Sequence, residues 1–338
     1  MKYIRILDGL RAISILLVLV SHIGFEHVIP GGFGVTIFFF ISGFLITSLL
    51  IKEKNKYGEI KLKNFYIRRF LRLYPALLVF LTISIIGILI LGQDLDTKKI
   101  LSVLFYYNNF LPYEYTGTLN DVYQISWSLC VEEHFYLFFP FLFLFNDSRL
   151  VRFLTVMIFV TLLLRLINWQ FNSCEIAASQ NYSFSWYRID SILYGCIFAF
   201  FWIERTLFLE KNRITLLFTG LFFIVLSLLF RDEFFRATFR YSLQGIGLMA
   251  IFPFLMSDSS NNLLKKLLNT NVLTSIGKVS YSLYLWHWMA IVLVSQAYIK
   301  YTIHWYLLFF LLTTIFVIFS YFFIEKPFLN IRNKYRVK

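Results

Sequence analysis

The stretch ILDGLRAISILLVLVSHIGF, residues 6–25, decides the fold of this chain. It is apolar enough to enter a lipid bilayer and long enough to cross the hydrocarbon core as one helix. Three of its side chains, Asp8, Arg11 and His22, are nevertheless ionisable. Such groups are costly inside a membrane and usually mark a functional site. The stretch therefore predicts a membrane-spanning helix that carries functional residues.

The spacing of Arg11 and His22 places them on one side of this helix. They are eleven residues apart. Because a helix turns about 100° per residue, roughly three turns separate them and both side chains project from nearly the same face. At about 1.5 Å per residue, they lie roughly 16 Å apart along the axis. We expect a cation near one side of the membrane and an imidazole deep towards the other.

The rest of the chain is equally apolar. Of its 338 residues, 59% are hydrophobic, and the mean hydropathy is +0.69, far outside the range of soluble domains. Apolar runs of about 17 to 22 residues are continuous rather than alternating, which favours helices over a β-barrel. We predict an all-α integral membrane protein, a single domain over residues 1–338, with about ten spans. They are 6–25, 32–51, 74–91, 127–145, 151–168, 184–203, 214–230, 239–257, 276–296 and 304–324.

The net charge of +13 does not indicate a nucleic-acid-binding protein, because the basic residues cluster between the apolar spans. Of the 32 Lys and Arg residues, 23 fall in loops and tails on the same side of the membrane as the N-terminus. Five fall in loops on the opposite side, and four lie in or at the edges of the spans. Basic loops stay in the cytoplasm, so both termini are predicted to be cytoplasmic. The three cysteines have no metal or disulfide spacing, and no metal is expected.

The densest basic loop, residues 52–75, ends in FYIRRFLRLYP. Here Arg68, Arg69 and Arg72 cluster where a helix enters the membrane, and Arg69 and Arg72 are neighbours at i, i+3. Arginine binds phosphate bidentately and stays charged. Two interpretations remain open, namely attraction to anionic lipid headgroups and a binding site for a phosphorylated cytoplasmic ligand.

The longest outside loop, residues 92–126, is rich in Tyr and Asn. Its stretch 100–113 is apolar but short for a span, so we predict an interfacial or re-entrant segment. Tyr and Asn offer flat faces and hydrogen bonds that suit a sugar. An ordinary interfacial aromatic belt is the alternative.

Further ionisable residues lie within later spans. In ISWSLCVEEHFYLFFP, residues 125–140, Glu132 and Tyr136 share a helix face at i, i+4. Carboxylates in a span need partners or a water-filled cavity, which favours a functional role. Arg188 and Asp190 in SWYRIDSILYG are open to either a functional role or a structural ion network, and His287 in SYSLYLWHWMAI is a further functional candidate.

These motifs together resemble the membrane acyltransferase-3 family of bacterial sugar and polysaccharide O-acyltransferases. Six pieces occur in family order between residue 7 and about residue 288. They are LDGLRAISILLVLVSH, GVTIFFFISGFLIT, FYIRRFLRLYP, WSLCVEEHFYLFFP, RIDSILYG and IGKVSYSLYLWHW. His134 stands where many members have Gln. The chain resembles the stand-alone members, which have no hydrolase-like domain after the last span.

The resemblance implies an enzyme of the bacterial cytoplasmic (inner) membrane. It would transfer an acyl group, usually acetyl, from cytoplasmic acyl-CoA to a hydroxyl rather than an amino group of an envelope carbohydrate such as O-antigen, lipopolysaccharide or exopolysaccharide. Acetyl-CoA is a donor substrate, and no permanently bound cofactor is expected. By position, His22 and Arg11 match the family's essential His and Arg, Glu132 matches the acidic residue of its WSL motif, and the basic motif at the third span matches Arg68, Arg69 and Arg72. We therefore expect His22 and Glu132 to be catalytic and the four arginines to bind the donor. We further expect Tyr136, Arg188, Asp190 and His287 to contribute to substrate binding.

An imidazole at residue 22 can act as a general base towards the hydroxyl or as a nucleophile towards the acyl group. Glu132 or a neighbouring carboxylate is the expected partner that orients it, as in a catalytic triad. Two other classes of function also place polar residues in spans. One is a flippase or transporter of polysaccharide units, which would need no acyl-CoA, and the other is a scaffold for envelope assembly.

Overall fold

The computed structural model describes residues 4–112, 114–143, 145, 147–257 and 263–335. Tyr113, at the end of the predicted interfacial stretch, and Leu144, in the fourth predicted span, lie outside the described residues. Three of the basic residues counted above, Lys2, Arg336 and Lys338, also lie outside them. The described residues form helices and no β-strand, which confirms the predicted all-α class.

The α-helices follow one another with short connections. In the first half of the chain they are α1 (Arg5–Val20), α2 (Gly31–Tyr57), α3 (Leu62–Ile90), α4 (Thr97–Leu104), α5 (Trp127–Leu142), α6 (Asp147–Phe171), α7 (Cys174–Ser183) and α8 (Ser185–Arg188). In the second half they are α9 (Asp190–Glu204), α10 (Thr206–Lys211), α11 (Arg213–Leu229), α12 (Glu233–Ala237), α13 (Arg240–Met256), α14 (Leu263–Leu268), α15 (Asn271–Lys278), α16 (Ser280–Ala297), α17 (Ile303–Phe319) and α18 (Lys326–Arg332). Tighter 3₁₀ turns occur at Asn108–Phe110, Leu119–Ser126 and Asn333–Tyr335, and wider π-helical turns at Ser21–Phe25 and Ser320–Glu325.

Within the described residues, five helical stretches are long and apolar enough to cross a membrane by length and composition. They are Arg5–Phe25, Gly31–Tyr57, Leu62–Ile90, Asp147–Phe171 and Ile303–Tyr335. The other five predicted spans overlap α5, α9, α11, α13 and α16, which have 15 to 18 residues. The number of crossings and the cytoplasmic location of the termini therefore stay predictions. The predicted interfacial segment contains only the short α4 and the 3₁₀ turn Asn108–Phe110 among its described residues.

Small residues let α1 lie directly against its neighbours. A Cβ atom added to Gly277 of α15 would come 1.8 Å from the carbonyl oxygen of Asp8, and one added to Gly34 of α2 would come 2.5 Å from that of Ser14. Only glycine allows two backbones to approach so closely. Helices in a membrane commonly pack through such small residues, because the hydrophobic effect does not drive their association there. Helix α1 is thus held between α2 and α15, with Ile15 and Val18 buried.

The last turn of the first span departs from α-helical geometry. Residues Ser21–Phe25 form a π-helical turn that contains His22 and ends in a kink at Ile23 (φ −95°, ψ 24°) and Gly24 (φ +106°). A side chain at Gly24 would be strained by this positive φ and would also meet the Tyr301 ring. π-helical turns within helices are frequent at functional sites. The kink sets the position of His22 at the end of α1.

The packing of α2 on α9 yields a testable prediction about stability. A Cβ atom on Gly43 would lie 2.0 Å from the carbonyl oxygen of Ile192, whereas one on Gly32 of the same helix would meet the Tyr182 ring at an ordinary 3.5 Å. Gly43→Ala should therefore destabilise the protein by about 1–3 kcal/mol through overpacking, and Gly32→Ala should not. Thermal unfolding of both purified variants in detergent measures this difference, and equal melting temperatures would contradict the packing described here.

Candidate active site

A cavity of about 110 Å³ lies inside the helical bundle. Its polar lining comes from several helices, namely Arg11 of α1, Ser42 of α2, Arg69 and Arg72 of α3, Ser128, Glu132 and Tyr136 of α5, and Ser280, Tyr281 and Tyr284 of α16. The remaining lining is apolar and comes mainly from α2. Five of the residues singled out from the sequence thus meet at one place, although they are far apart in the chain. They are Arg11, Arg69, Arg72, Glu132 and Tyr136.

Glu132 is held by two hydroxyl groups. Ser42 donates a hydrogen bond to its Oε1 at 2.8 Å, and Tyr136, one helical turn further along α5, donates to its Oε2 at 3.1 Å. The guanidinium of Arg69 lies over the Tyr136 ring, 4.7 Å from the ring centre. The carboxylate is therefore fixed in the wall of the cavity by its neighbours in the bundle.

The arginines of the cavity differ in whether they have an acidic partner. Nη1 of Arg11 lies 3.6 Å from Oδ1 of Asp8, which is one turn earlier in α1. Arg69 and Arg72 make no hydrogen bond or ion pair with the described residues, although both line the cavity. Their N–H groups are free to bind a ligand. Because three guanidinium groups outnumber the one carboxylate in the lining, the cavity is suited to an anion.

Arg68, which was predicted to bind the donor together with Arg69 and Arg72, is not among the residues that line this cavity. Its Nη2 pairs with Glu53 of α2 at 3.1 Å, and its Nη1 donates to the carbonyl oxygen of Tyr335 at 2.8 Å. Glu53 is 1% exposed. Arg68 therefore links α2, α3 and the C-terminal segment, and its role in the structure is to hold these elements together.

His22 lies beyond the cavity rather than in its lining. Its Nδ1 is 3.0 Å from Nε2 of His287, and the Trp288 ring packs edge-on against the imidazole at 4.9 Å between ring centres. Both partners belong to α16. The expected contact with Glu132 is absent, since Glu132 bonds Ser42 and Tyr136. The hydrogen-bonding partner of His22 is a second histidine.

Helices α1 and α16 run side by side and connect the two parts of the site. Arg11 of α1 and Tyr281 of α16 line the cavity, while His22 and His287 meet further along the same two helices. Tyr284 lies between them, since it lines the cavity and its ring centre is 6.1 Å from that of His287.

Two hydroxyl groups of the cavity lining, those of Ser128 and Tyr284, bond each other. The Tyr284 hydroxyl donates to the carbonyl oxygen of Ile125 at 2.8 Å and therefore accepts from Ser128 at 2.6 Å. Sequence analysis did not select Ser42, Ser128 or Tyr284. The available signal was weak, because a hydroxyl in an apolar span often bonds only the preceding helical turn.

Arg188 and Asp190, which were predicted to contribute to substrate binding, belong to a buried polar network and do not line the arginine cavity. Both side chains are fully buried. Asp190 pairs with Arg165 of α6 at 2.8 Å and accepts a hydrogen bond from Ser242 of α13 at 3.1 Å. The Arg188 guanidinium lies over the Tyr241 ring at 3.8 Å. These contacts join α6, α9 and α13, so the structural ion network left open by the sequence is the one observed.

A second, larger cavity of about 390 Å³ lies between the α3–α5 segment and α7. Its lining is polar and aromatic and includes Asn108, Asn109, Asp121, Gln124, Trp127 and Tyr182. Trp288, which contacts His22, donates a hydrogen bond from Nε1 to the carbonyl oxygen of Asp121 at 2.9 Å. This second cavity, which we call the outer cavity because the predicted topology places it outside, is therefore linked to His22 through Asp121 and Trp288.

Comparisons with known proteins agree with the motifs. A sequence model described as an acyltransferase domain matches residues 4–323. A Staphylococcus aureus (strain COL) protein provisionally named as an O-acetyltransferase is 34% identical over 366 residues, which cover 97% of this chain and 58% of that protein. The O-acetyltransferase OatA of S. aureus (strain NCTC 8325) is 30% identical over 350 residues, covering 96% and 57%. The chain thus spans less than three-fifths of the length of these curated relatives. No solved structure matches it significantly.

The apolar helices and their polar interior define the class, which is a multi-pass helical membrane protein. The domain match, which extends over nearly the whole chain, then gives the family. The chain belongs to the membrane acyltransferase-3 family, as its six motifs indicated.

The separation of Arg68 from the other arginines is testable. Arg68→Gln leaves the buried Glu53 without its cation, and breaking such a pair on one side costs about 3 kcal/mol or more. We expect a clearly lower melting temperature for this variant. The double variant Arg68→Gln/Glu53→Gln should recover part of the loss, because no charge is then left buried. Thermal unfolding of the purified proteins measures both effects, and an unchanged melting temperature for Arg68→Gln would contradict the structural role.

Proposed function

We propose that the protein is an acyl-CoA-dependent O-acyltransferase of the bacterial cytoplasmic membrane. It transfers an acyl group, most simply acetyl, from cytoplasmic acyl-CoA to a hydroxyl of an envelope carbohydrate. Family membership and the names of its relatives support the reaction. The observation that carries the proposal is the arrangement of an anion-binding cavity and a histidine along one pair of helices.

The donor would bind in the arginine cavity. CoA is an anion because of its phosphate groups, and arginine is the residue best suited to bind phosphate. Arg69 and Arg72 carry N–H groups that no described residue uses, and Arg11 lies on the path towards His22. In this proposal the phosphates stay near Arg69 and Arg72, and the thin pantetheine arm extends along α1 and α16. The thioester then reaches His22 past Tyr284 and Ser128.

The acceptor would enter from the outer cavity. Its amide, carboxylate and aromatic side chains offer the hydrogen bonds and flat faces that a sugar requires, which supports a carbohydrate acceptor. A water-exposed hydroxyl can approach His22 from this side while the CoA remains on the other. The reaction would thus transfer an acyl group across the membrane without moving the whole donor.

The topology proposed from the loop charges fits this division of the site. With ten crossings and both termini in the cytoplasm, the basic loop at the start of α3 faces the cytoplasm, where acyl-CoA is found. The segment between α3 and α5 then faces the outside, where envelope sugars are found. The excess of basic residues on one side of the membrane supports this orientation.

The chemical step balances as an ester exchange. The bond between the acyl carbon and the CoA sulfur breaks, a bond between that carbon and the acceptor oxygen forms, and the hydroxyl proton ends on the CoA thiol. His22 would accept the hydroxyl proton as a general base, or it would first accept the acyl group as a nucleophile. Both routes use one ring nitrogen with a free lone pair.

Removal of His22 tests the proposed catalysis. The His22→Ala variant in lipid nanodiscs should transfer acetyl from radiolabelled acetyl-CoA to envelope oligosaccharide at a rate at least about 100-fold lower than wild type. The reason is that general acid–base catalysis contributes about 10²–10⁴-fold to the rate. His27→Ala is the matched control, since His27 lies close in sequence but is exposed. Equal activity of both variants would refute the assignment of His22.

Removal of Arg72 tests the donor site. Arg72→Gln should raise KM for acetyl-CoA by about 10- to 100-fold, which corresponds to the loss of a charged hydrogen bond of about 1.5–3 kcal/mol. The same variant should use acetyl-pantetheine, which lacks the phosphates, as well as the wild-type protein does. Arg152→Gln, in an exposed position of α6, is the control. An equal loss with both donors would show that Arg72 does not bind the phosphates.

A further inference from the structure

The His22 and His287 rings meet at their edges and are nearly coplanar. Their planes differ by only 9°, and their centres are 5.3 Å apart. The Nδ1–Nε2 distance of 3.0 Å plus the two ring radii accounts for almost the whole separation of the centres. The two nitrogens therefore lie on the line between the ring centres, in the plane of both rings. This is the geometry of a linear N–H···N hydrogen bond rather than of a face-to-face stack.

The backbone decides which ring donates. Nδ1 of His287 lies 2.7 Å from the carbonyl oxygen of Leu283, one turn earlier in α16. Because a carbonyl oxygen only accepts, Nδ1 of His287 carries a proton. In a neutral imidazole the other nitrogen is then an acceptor. Nε2 of His287 must therefore accept a hydrogen bond, which Nδ1–H of His22 donates.

The neutral form of the pair is the one that the surroundings favour. His287 is fully buried, and neither imidazole has a carboxylate partner among the described residues. A proton added to His287 would create a buried charge without a counter-charge, which is costly. The remaining nitrogen, Nε2 of His22, makes no hydrogen bond with the described residues and is not sealed from solvent.

We propose that His287 is a positioning residue that fixes His22 in the tautomer with a free lone pair on Nε2. This inference rests on the proposed function and assigns His287 a different role from the substrate binding expected from the sequence. The order of the hydrogen bonds is Leu283 carbonyl, His287 and His22, with each ring donating from Nδ1. Trp288, anchored on Asp121, packs against the His22 ring and restricts its rotation.

The chain does in this way what a carboxylate does in a catalytic triad. It presents one defined nitrogen of the catalytic imidazole to the substrate. When Nε2 of His22 takes the hydroxyl proton, the ring becomes positively charged and keeps its Nδ1–H bond to His287. A neutral partner orients the base without placing a permanent charge in the bundle. This suits a site inside apolar helices, where an unpaired charge is expensive.

Two substitutions of similar size separate positioning from packing. In His287→Gln the side-chain oxygen can reach the position of the lost Nε2 and accept from His22. In His287→Asn the shorter side chain can still bond Leu283 but cannot reach His22. We expect kcat to fall about 100-fold in the Asn variant, with KM for acetyl-CoA changed less than about threefold, because an imidazole in the wrong tautomer is a poor base. The Gln variant should stay within about tenfold of wild type.

An equal loss of kcat in both variants, or a loss through KM, would overturn the proposal in favour of a packing role. A double variant provides a further check. In the His22→Ala background, His287→Asn should cause no additional loss, because the residue acts only through His22. An additional loss there would also overturn the proposal.

A spectroscopic measurement separates this inference from the proposed function. In wild-type protein with ¹⁵N-labelled histidine in nanodiscs, solid-state NMR should show His22 protonated at Nδ1 and unprotonated at Nε2. In His287→Asn the two tautomers of His22 should mix. Protonation at Nε2 in the wild type would overturn the positioning role whatever the activity is. The expected spectrum in a protein that transfers no acyl group would support the positioning role and refute the proposed function.

Discussion

A charged side chain that leaves water for a bundle of apolar helices must be paired or must face a polar cavity, because lipid offers it neither. The chain meets this requirement in two ways. Arg165 and Asp190 form a dry pair between α6 and α9, and Arg68 and Glu53 form another between α2 and α3. Arg72 has no such pair and faces a cavity. An arginine that faces a polar cavity instead of an internal partner thus marks a place where a ligand can bind.

The close helix contacts make the rest of the site possible. Because Gly277 lets the backbone of α15 touch that of α1, and Gly34 does the same for α2, α1 is held tightly between these two helices. α16 also contacts α1. Residues that share a face of α1 meet different partners along α16, with tyrosines near Arg11 and a histidine near His22.

Tyr284, which bonds Ser128, contacts both parts of the site. On one side lies a cavity rich in guanidinium groups, and on the other lie the paired imidazoles. A bond between two neutral hydroxyls is modest in free energy and is exchanged readily for bonds to a ligand or water.

The sequence by itself determined the helical class, the family and the set of helices that supply the polar residues. These follow from local properties of the chain. The length of an apolar run, the spacing of residues on one helix and the order of the motifs can all be read without knowing which helices pack together. It also grouped Arg11, Arg72 and Glu132 as candidates for one site. Only the tertiary structure decided that Arg68 pairs with Glu53 and that His22 bonds His287 instead of Glu132. Helical spacing fixes the face and depth of a side chain, but the atoms opposite that face belong to other helices. Glu53 is 15 residues from Arg68, and His287 is 265 residues from His22.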